Sequence, residues 1–246
     1  MDFSYSDPTP NFDRSKVKGL VAELINLEQK HYDASTALEI CAGGRLYNVV
    51  VENEVVGAQL LDKGRLRRRI TLIPLNKIQG FVASAEKIAH AQHIAPGKVD
   101  LALSLIGYDE EIEPAMEWIF GNTLICEDAE TAKRVTFDRN IKMKSVTFDG
   151  DVYDPFGTLS GGSKPQSSGI LVKVQQLTDI RQQIEQHHQT LEHIEQELEA
   201  AQKSIATYQK CKQRLDLQSH EISLLESRLN QSNHAQVIIY IYERGK

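Results

Sequence analysis

Three groups of residues have types and spacings that could do chemistry. The first is Thr158-Leu159-Ser160-Gly161-Gly162-Ser163, where paired glycines free backbone amides of the kind that hold a nucleotide phosphate. A complete phosphate loop places Lys, then Ser or Thr, after its second Gly, so that the hydroxyl binds Mg²⁺. In Gly157 to Lys164 (GTLSGGSK) Ser163 instead precedes Lys164, and no strand with an Asp-Glu magnesium site occurs elsewhere. An ATP site is not expected; close backbone approach or positive φ is.

The second group is Lys63, Arg65, Arg67, Arg68 and Arg69, five cations in seven residues with Asp62 the only nearby acid. Such density attracts phosphate, and it also describes a solvated loop, so both readings stand. Strand alternation beginning near Arg69 would put Arg67 and Arg69 on one face and Arg68 on the other. Histidines form the third group. His90 and His93 share a helical face without two further ligands, so a metal site is not expected. Asp109 to Glu111 precede a helix and suit its amino-terminal dipole better than acid-base work. No nucleophile, base and acid stand at a catalytic spacing, so no catalytic residue is assigned.

Composition narrows the field further. The chain has 246 residues, with 28 Lys and Arg against 34 Asp and Glu, a net charge of -6 and 41% hydrophobic residues. A mildly acidic balance argues against blanket nucleic-acid coating while allowing a local basic site. Apolar runs such as Val99 to Ile106 fall short of the roughly 20 residues of a membrane span. The start, MDFSYSDPTPNFDRS, has no basic region followed by an apolar stretch, so an intracellular protein is expected. Cys41, Cys126 and Cys211 are odd in number and widely spaced, which predicts reduced thiols.

The elements that must position these groups change character near residue 170. Before it, short strands alternate with short helices: strand at Val17 to Ile25, helix at Ser35 to Ala42 stopped by Gly43 and Gly44, strand at Arg45 to Val51, helix at Glu52 to Lys63, strand at Ile70 to Leu75. After Pro96 and Gly97 the alternation recurs: strand at Val99 to Ile106, helix at Glu111 to Phe120, strand at Thr123 to Cys126, helix at Ala129 to Arg139, strand at Ser145 to Phe148. This predicts an α/β (α+β) part of two lobes, about 16–84 and 97–170.

Beyond 170 a heptad takes over. Its a positions read Leu177, Ile184, Leu191, Leu198 and Ile205, and its d positions Ile180, His187, Ile194, Ala201 and Tyr208, a coiled-coil seam with His187 as a polar register marker. With neither Gly nor Pro between Leu171 and Asn230, a long helix is expected over 171–230, its seam weakening where Lys212, Ser219 and Glu226 occupy a positions. The β-branched run VIIYIYERGK from Val237 reads as strand, an atypical tail over 231–246.

The stretches ALEICAGGRLYNVVVENE, RRRITLIPLNKI and FDGDVYDPFGTLSGGS, followed by a coiled coil, closely resemble the hinge of the structural maintenance of chromosomes (SMC) proteins, nearest to those of condensin, over roughly residues 1 to 230. The resemblance implies a two-lobed hinge over 16–170, with 1–15 an extension in place of the incoming coiled-coil arm. It implies pairing with a sister SMC subunit, or a homodimer in isolation, in a complex that organises and condenses mitotic chromosomes. Non-SMC condensin subunits would engage only regions outside this chain, and no membrane partner is implied. It implies ATP and Mg²⁺ for the heads of full-length members and no cofactor here, and a place on chromosomes in the nucleus, with cytoplasm outside mitosis. The glycine motif becomes a dimer-interface candidate: Phe156, Gly157, Thr158, Leu159, Ser160, Gly161 and Gly162, with Ser145, Val146 and Phe148 on the same surface. DNA binding by Lys63, Arg65, Arg67, Arg68 and Arg69 is the alternative function.

Overall fold

The structure is a computed structural model that describes residues 3–162 and 169–244. It divides into two compact units, Met1–Arg181 and Gln182–Lys246.

The first unit contains two sheets. In one, β1 (Val17–Leu20) pairs antiparallel with β2 (Val49–Val51), which pairs parallel with β3 (Leu72–Pro74). In the other, β4 (Val99–Leu101) pairs antiparallel with β5 (Thr123–Cys126), which pairs parallel with β6 (Lys144–Thr147); β7 (Val152–Tyr153) and β8 (Leu159–Ser160) extend it antiparallel. A parallel step needs a crossover, supplied by α3 (Glu54–Lys63) in the first sheet and α6 (Ala129–Thr136) in the second. Each crossover helix starts on a matching cap: the Asn53 side chain accepts from the Val56 N–H at 3.0 Å, and that of Asp128 from the Thr131 N–H at 2.7 Å.

The repeat extends into the packing. Successive strand residues face opposite sides, so Val50 and Ile73 point one way while Val49 and Val51 point the other. Val50, Ile73, Ile125 and Val146 all enter one central core, which they share with Leu38 and Cys41 of α2 (Ser35–Ala42) and Met116 and Phe120 of α5 (Glu113–Phe120). The opposite faces build separate outer layers. Leu20, Val49, Val51, Val56 and Leu60 form one, and Leu101, Leu124, Cys126, Ala132 and Val135 belong to the other. The halves also meet through backbone, Asn26 and Gly107 exchanging N–H to carbonyl bonds of 2.7 Å in both directions. The two sheets thus surround a common centre.

Several boundaries differ from expectation. Strand ends at Leu20, where Val21–Leu24 coils into α1, and at Leu101, where Ala102–Leu105 forms a 3-10 turn; both turns drive apolar residues into the shared core. Arg45–Tyr47 is likewise 3-10 and not strand, because Arg45 folds back to donate to the carbonyls of Cys41 (2.8 Å) and Ala42 (3.1 Å) at the end of α2. The expected connector around 84–97 holds a helix, α4 (Ala85–Ile94), which packs on β4 and α6 and buries Ala91.

A single helix, α7 (Ile170–Arg244), runs through the remainder, its later part forming the second unit. The strand expected from Val237 is helical. Once a helix is propagating, each further β-branched residue costs only tenths of a kcal/mol, whereas a strand needs a partner strand to hydrogen-bond with.

Candidate functional site

The glycine motif lies at the end of the five-stranded sheet. β7 and β8 form a hairpin whose turn is closed by Gly157 N–H to Asp154 O at 2.9 Å, with the Asp154 carboxylate accepting from Phe156 N–H at 2.9 Å. Gly157 has φ 97°, a conformation that favours glycine, and Phe156 at the tip is 94% exposed. Leu159 on the edge strand is 63% exposed, and Thr158, Ser160, Gly161 and Gly162 are exposed with it. Among the described residues β8 is the terminal strand of its sheet, so an unpaired edge carries or adjoins both exposed apolar side chains.

The three motif glycines have different causes. A Cβ on Gly161 would meet the Asp151 carboxylate of the same chain, whose side chain would have to move. Gly157 and Gly162 (φ 133°) have open space around them, and only their backbone geometry demands glycine. Asp149 and Asp151 line the concavity beside Gly161 and Gly162, and the Gly162 N–H already donates to Asp151 at 3.3 Å. Ser163 and Lys164 lie outside the described residues.

Of the three residues expected on the same surface, two have buried side chains. Ser145 and Val146 are fully buried because both faces of β6 are covered: Val146 enters the shared core, and the Ser145 hydroxyl shares a hydrogen bond with Thr136 of α6. Neither side chain can face a partner. Phe148 is half-buried and packs on the shared core.

The cationic cluster begins where Gly64 stops α3, and a Cβ there would meet the Leu60 carbonyl oxygen at 2.4 Å. Lys63 at the end of α3 is exposed, as are Arg65, Arg67, Arg68 and Arg69 in the loop that follows, which precedes β3 and lacks the strand alternation expected from Arg69. Arg65 is held at φ 48°. A feature invisible to periodicity flanks this loop. Residues 3–12 form an aromatic strap in which Phe3, Tyr5 and Phe12 pack on the outer core of the first sheet, Phe3 and Tyr5 5.4 Å apart. Ser6 N–H donates to Gly64 O at 2.9 Å, and Arg14 pairs with Asp7 at 2.8 Å while its guanidinium stacks over Tyr5 at 5.6 Å.

The start of α7 is locked into the first unit. Glu39 of α2 accepts from the Leu171 N–H at 2.9 Å, satisfying one of the free donors of the helix start, and half-burial raises its carboxyl above the usual range. Gln175 accepts from the buried Leu27 N–H at 2.9 Å and donates to Asp179 at 2.7 Å. Nothing in the linear pattern marked Glu39 or Gln175, since their partners lie more than a hundred positions away. Beside them Glu23, Tyr47, Ile170, Lys173, Val174, Leu177 and Arg181 line a groove of about 560 Å³. Further along α7, Ile180, Ile184, Leu191, Ile194, Leu198, Ile205 and Tyr208 are each more than half exposed, and His187 and Ala201 are exposed between them.

His90 stands 3.4 Å from Asp138, and among the described residues no group of His, Cys, Asp and Glu could hold a metal. Cys41 and Cys126 are buried free thiols; burial pushes Cys126 up to about 12. Cys211 is free and exposed. No described helix is long and apolar enough to cross a membrane.

The family model for the flexible hinge domain of SMC proteins matches residues 14–136. Structural maintenance of chromosomes protein 2 of Schizosaccharomyces pombe is 53% identical over 225 residues, covering 92% of this chain and 19% of that protein. Its Homo sapiens namesake is 44% identical over 233 residues, covering 94% of this chain and 19% of that protein. The chain thus spans about a fifth of these relatives. Among solved structures, an asymmetric dimer of the Geobacillus stearothermophilus SMC hinge domain aligns with a TM-score of 0.56 at 26% identity over 72% of each chain. A structure described as the folded elbow of cohesin aligns with a TM-score of 0.62 over 94% of this chain and 32% of its own, at 22% identity.

Proposed function

This chain belongs to the SMC hinge family, and from that premise we propose that it is the dimerisation module of a condensin-type SMC subunit, pairing with the hinge of a sister subunit. The observation that carries the proposal is the open edge of β8 with Phe156 and Leu159 exposed beside it. A free edge binds another strand through main-chain hydrogen bonds, and exposed apolar side chains flanking it supply burial. The complex so formed organises and condenses chromosomes, which places it in the nucleus. On this reading ATP and Mg²⁺ belong to the heads of full-length relatives, and this segment's task is pairing.

The test is the mass in solution of the chain mixed with a sister SMC hinge. Phe156→Asp with Leu159→Asp is expected to weaken pairing by about tenfold or more, as truncating a central apolar anchor does, without changing the fold of the monomer. Equal affinity of variant and parent would remove this edge from the interface.

A second reading, DNA binding by the loop from Lys63 to Arg69, is favoured by its five exposed cations in an otherwise acidic chain. With no aromatic side chain inside the cluster, contact would be electrostatic and indifferent to sequence. Changing Arg65, Arg67 and Arg69 to Glu should reduce the slope of log affinity against log salt by about 2 to 3, at roughly 0.7 to 0.9 per phosphate. An unchanged slope returns the arginines to the solvated loop.

A further inference from the structure

Beside the cationic loop, Ser4, Arg67, Arg68 and Ile70 surround one concavity of about 280 Å³. The strap that carries Ser4 alternates: Phe3 and Tyr5 pack inward on the outer core, while Ser4 and Ser6 are exposed. Inward packing on both sides of Ser4, with the Ser6 to Gly64 backbone bond, keeps Ser4 on the wall of the concavity that Arg67 and Arg68 also line. We propose that Ser4 is a phosphorylation site whose phosphate is received by Arg67 and Arg68, clamping the strap onto the basic loop.

The chemistry is ordinary phosphoryl transfer from ATP on a serine/threonine protein kinase. Ser4 Oγ attacks the γ-phosphorus, the new Oγ–P bond replaces the bond to the β–γ bridging oxygen, ADP leaves, and the hydroxyl proton passes to the kinase's base. Access is built into the strap. Residues 3–8 form no helix or strand, and among the described residues this segment is held by side-chain packing and one backbone bond to Gly64, so it can open locally. A phosphoserine adds close to two negative charges and three acceptor oxygens, which suit a pair of guanidinium forks. Closing again over Arg67 and Arg68, the modified strap would add negative charge to the cluster. A further consequence, weaker DNA binding, rests on the second functional reading above.

The experiment compares the full chain carrying phosphate genetically encoded at Ser4 with the same chain carrying it at Ser6, which is exposed on the strap and does not line the concavity. Phosphorus NMR follows each phosphate through its second ionisation. Pairing with guanidinium should lower the midpoint at Ser4 by about half a unit relative to Ser6, the scale of a surface ion pair. R67Q with R68Q should abolish the difference, circular dichroism confirming that both proteins are folded. Midpoints that coincide, or a difference that survives R67Q with R68Q, overturn the proposal. Since no DNA is present, the result is independent of the DNA reading. Unchanged DNA affinity alongside a lowered midpoint would count against that reading alone.

Discussion

The first sheet and the second repeat one plan, an antiparallel step, a parallel step and a capped crossover helix, yet what surrounds them differs. Around the first, the aromatic strap covers the outer layer and a cationic loop follows α3. Around the second, α4 covers the outer layer, a neutral-to-mixed turn follows α6, and β7 and β8 extend the edge to the exposed Phe156. The repeated part is what packing requires, because both inner faces must fill one core. The parts that differ lie at loops and edges, where substitutions do not disturb that core, and both proposed binding surfaces are among them.

The widest separation between common centre and private layers should come from Phe120→Ala. It removes a side chain with no solvent exposure from the shared core, at a cost of about 3 to 5 kcal/mol. Hydrogen exchange should then show β2 and β5 losing protection together; loss confined to one sheet would mean that the halves do not share a cooperative core. Leu60→Ala in the first outer layer and Ile141→Ala in the second should each cost about 2 to 5 kcal/mol. Their effects on sub-global opening are expected to be greatest in their own sheets, and identical exchange patterns for the two variants would erase the distinction.

A smaller effect concerns the junction with α7. Glu39→Ala should destabilise the start of that helix by about 1 kcal/mol, the scale of a lost cap, while Glu39→Gln retains an acceptor and should cost less. Because half-burial raises the folded carboxyl's pKa, its ionisation detracts from stability as pH rises from the ordinary carboxylate value through the raised one. Denaturation between pH 4 and 7 should show this contribution shrinking upward in the wild type and absent in Glu39→Gln.

The smallest effect separates the two matching caps. Backbone hydrogen bonding to Thr131 and the Lys98 ammonium hold Asp128 down to about 2, whereas Asn53 does not titrate. A carboxyl lowered in the folded state stabilises above its unfolded pKa, and that stability is lost as pH falls from about 4 through about 2. Protection of the amides in the first turn of α6, relative to their intrinsic exchange rates, should therefore fall over that window more than in the first turn of α3. Asp128→Asn should make the two helices alike, and equal acid responses in the wild type would refute the assignment.

Local signals made much of this architecture legible. α2, from Ser35 to Ala42, and β5, from Thr123 to Cys126, fall where an apolar run meets a glycine or polar stop, and the heptad from Leu177 gives a helix with an exposed seam. The exposed glycine motif and cationic loop were visible as residue types. Misreadings arose where a distant contact decided the outcome. Val21 and Ala102 have strand-like neighbours but turn inward because the shared core lies there; Ser145 and Val146 read as strand and are buried because α6 covers one face of β6 and the shared core the other.

Glycine stops, caps, charge density and apolar period act over a few residues, so the chain's own order determines them. The common core, the strap over the first sheet, the Glu39 and Gln175 contacts at α7, and the identity of the open edge join positions far apart in sequence. Only the folded arrangement decides those, because burial and hydrogen-bond satisfaction are properties of neighbours in space.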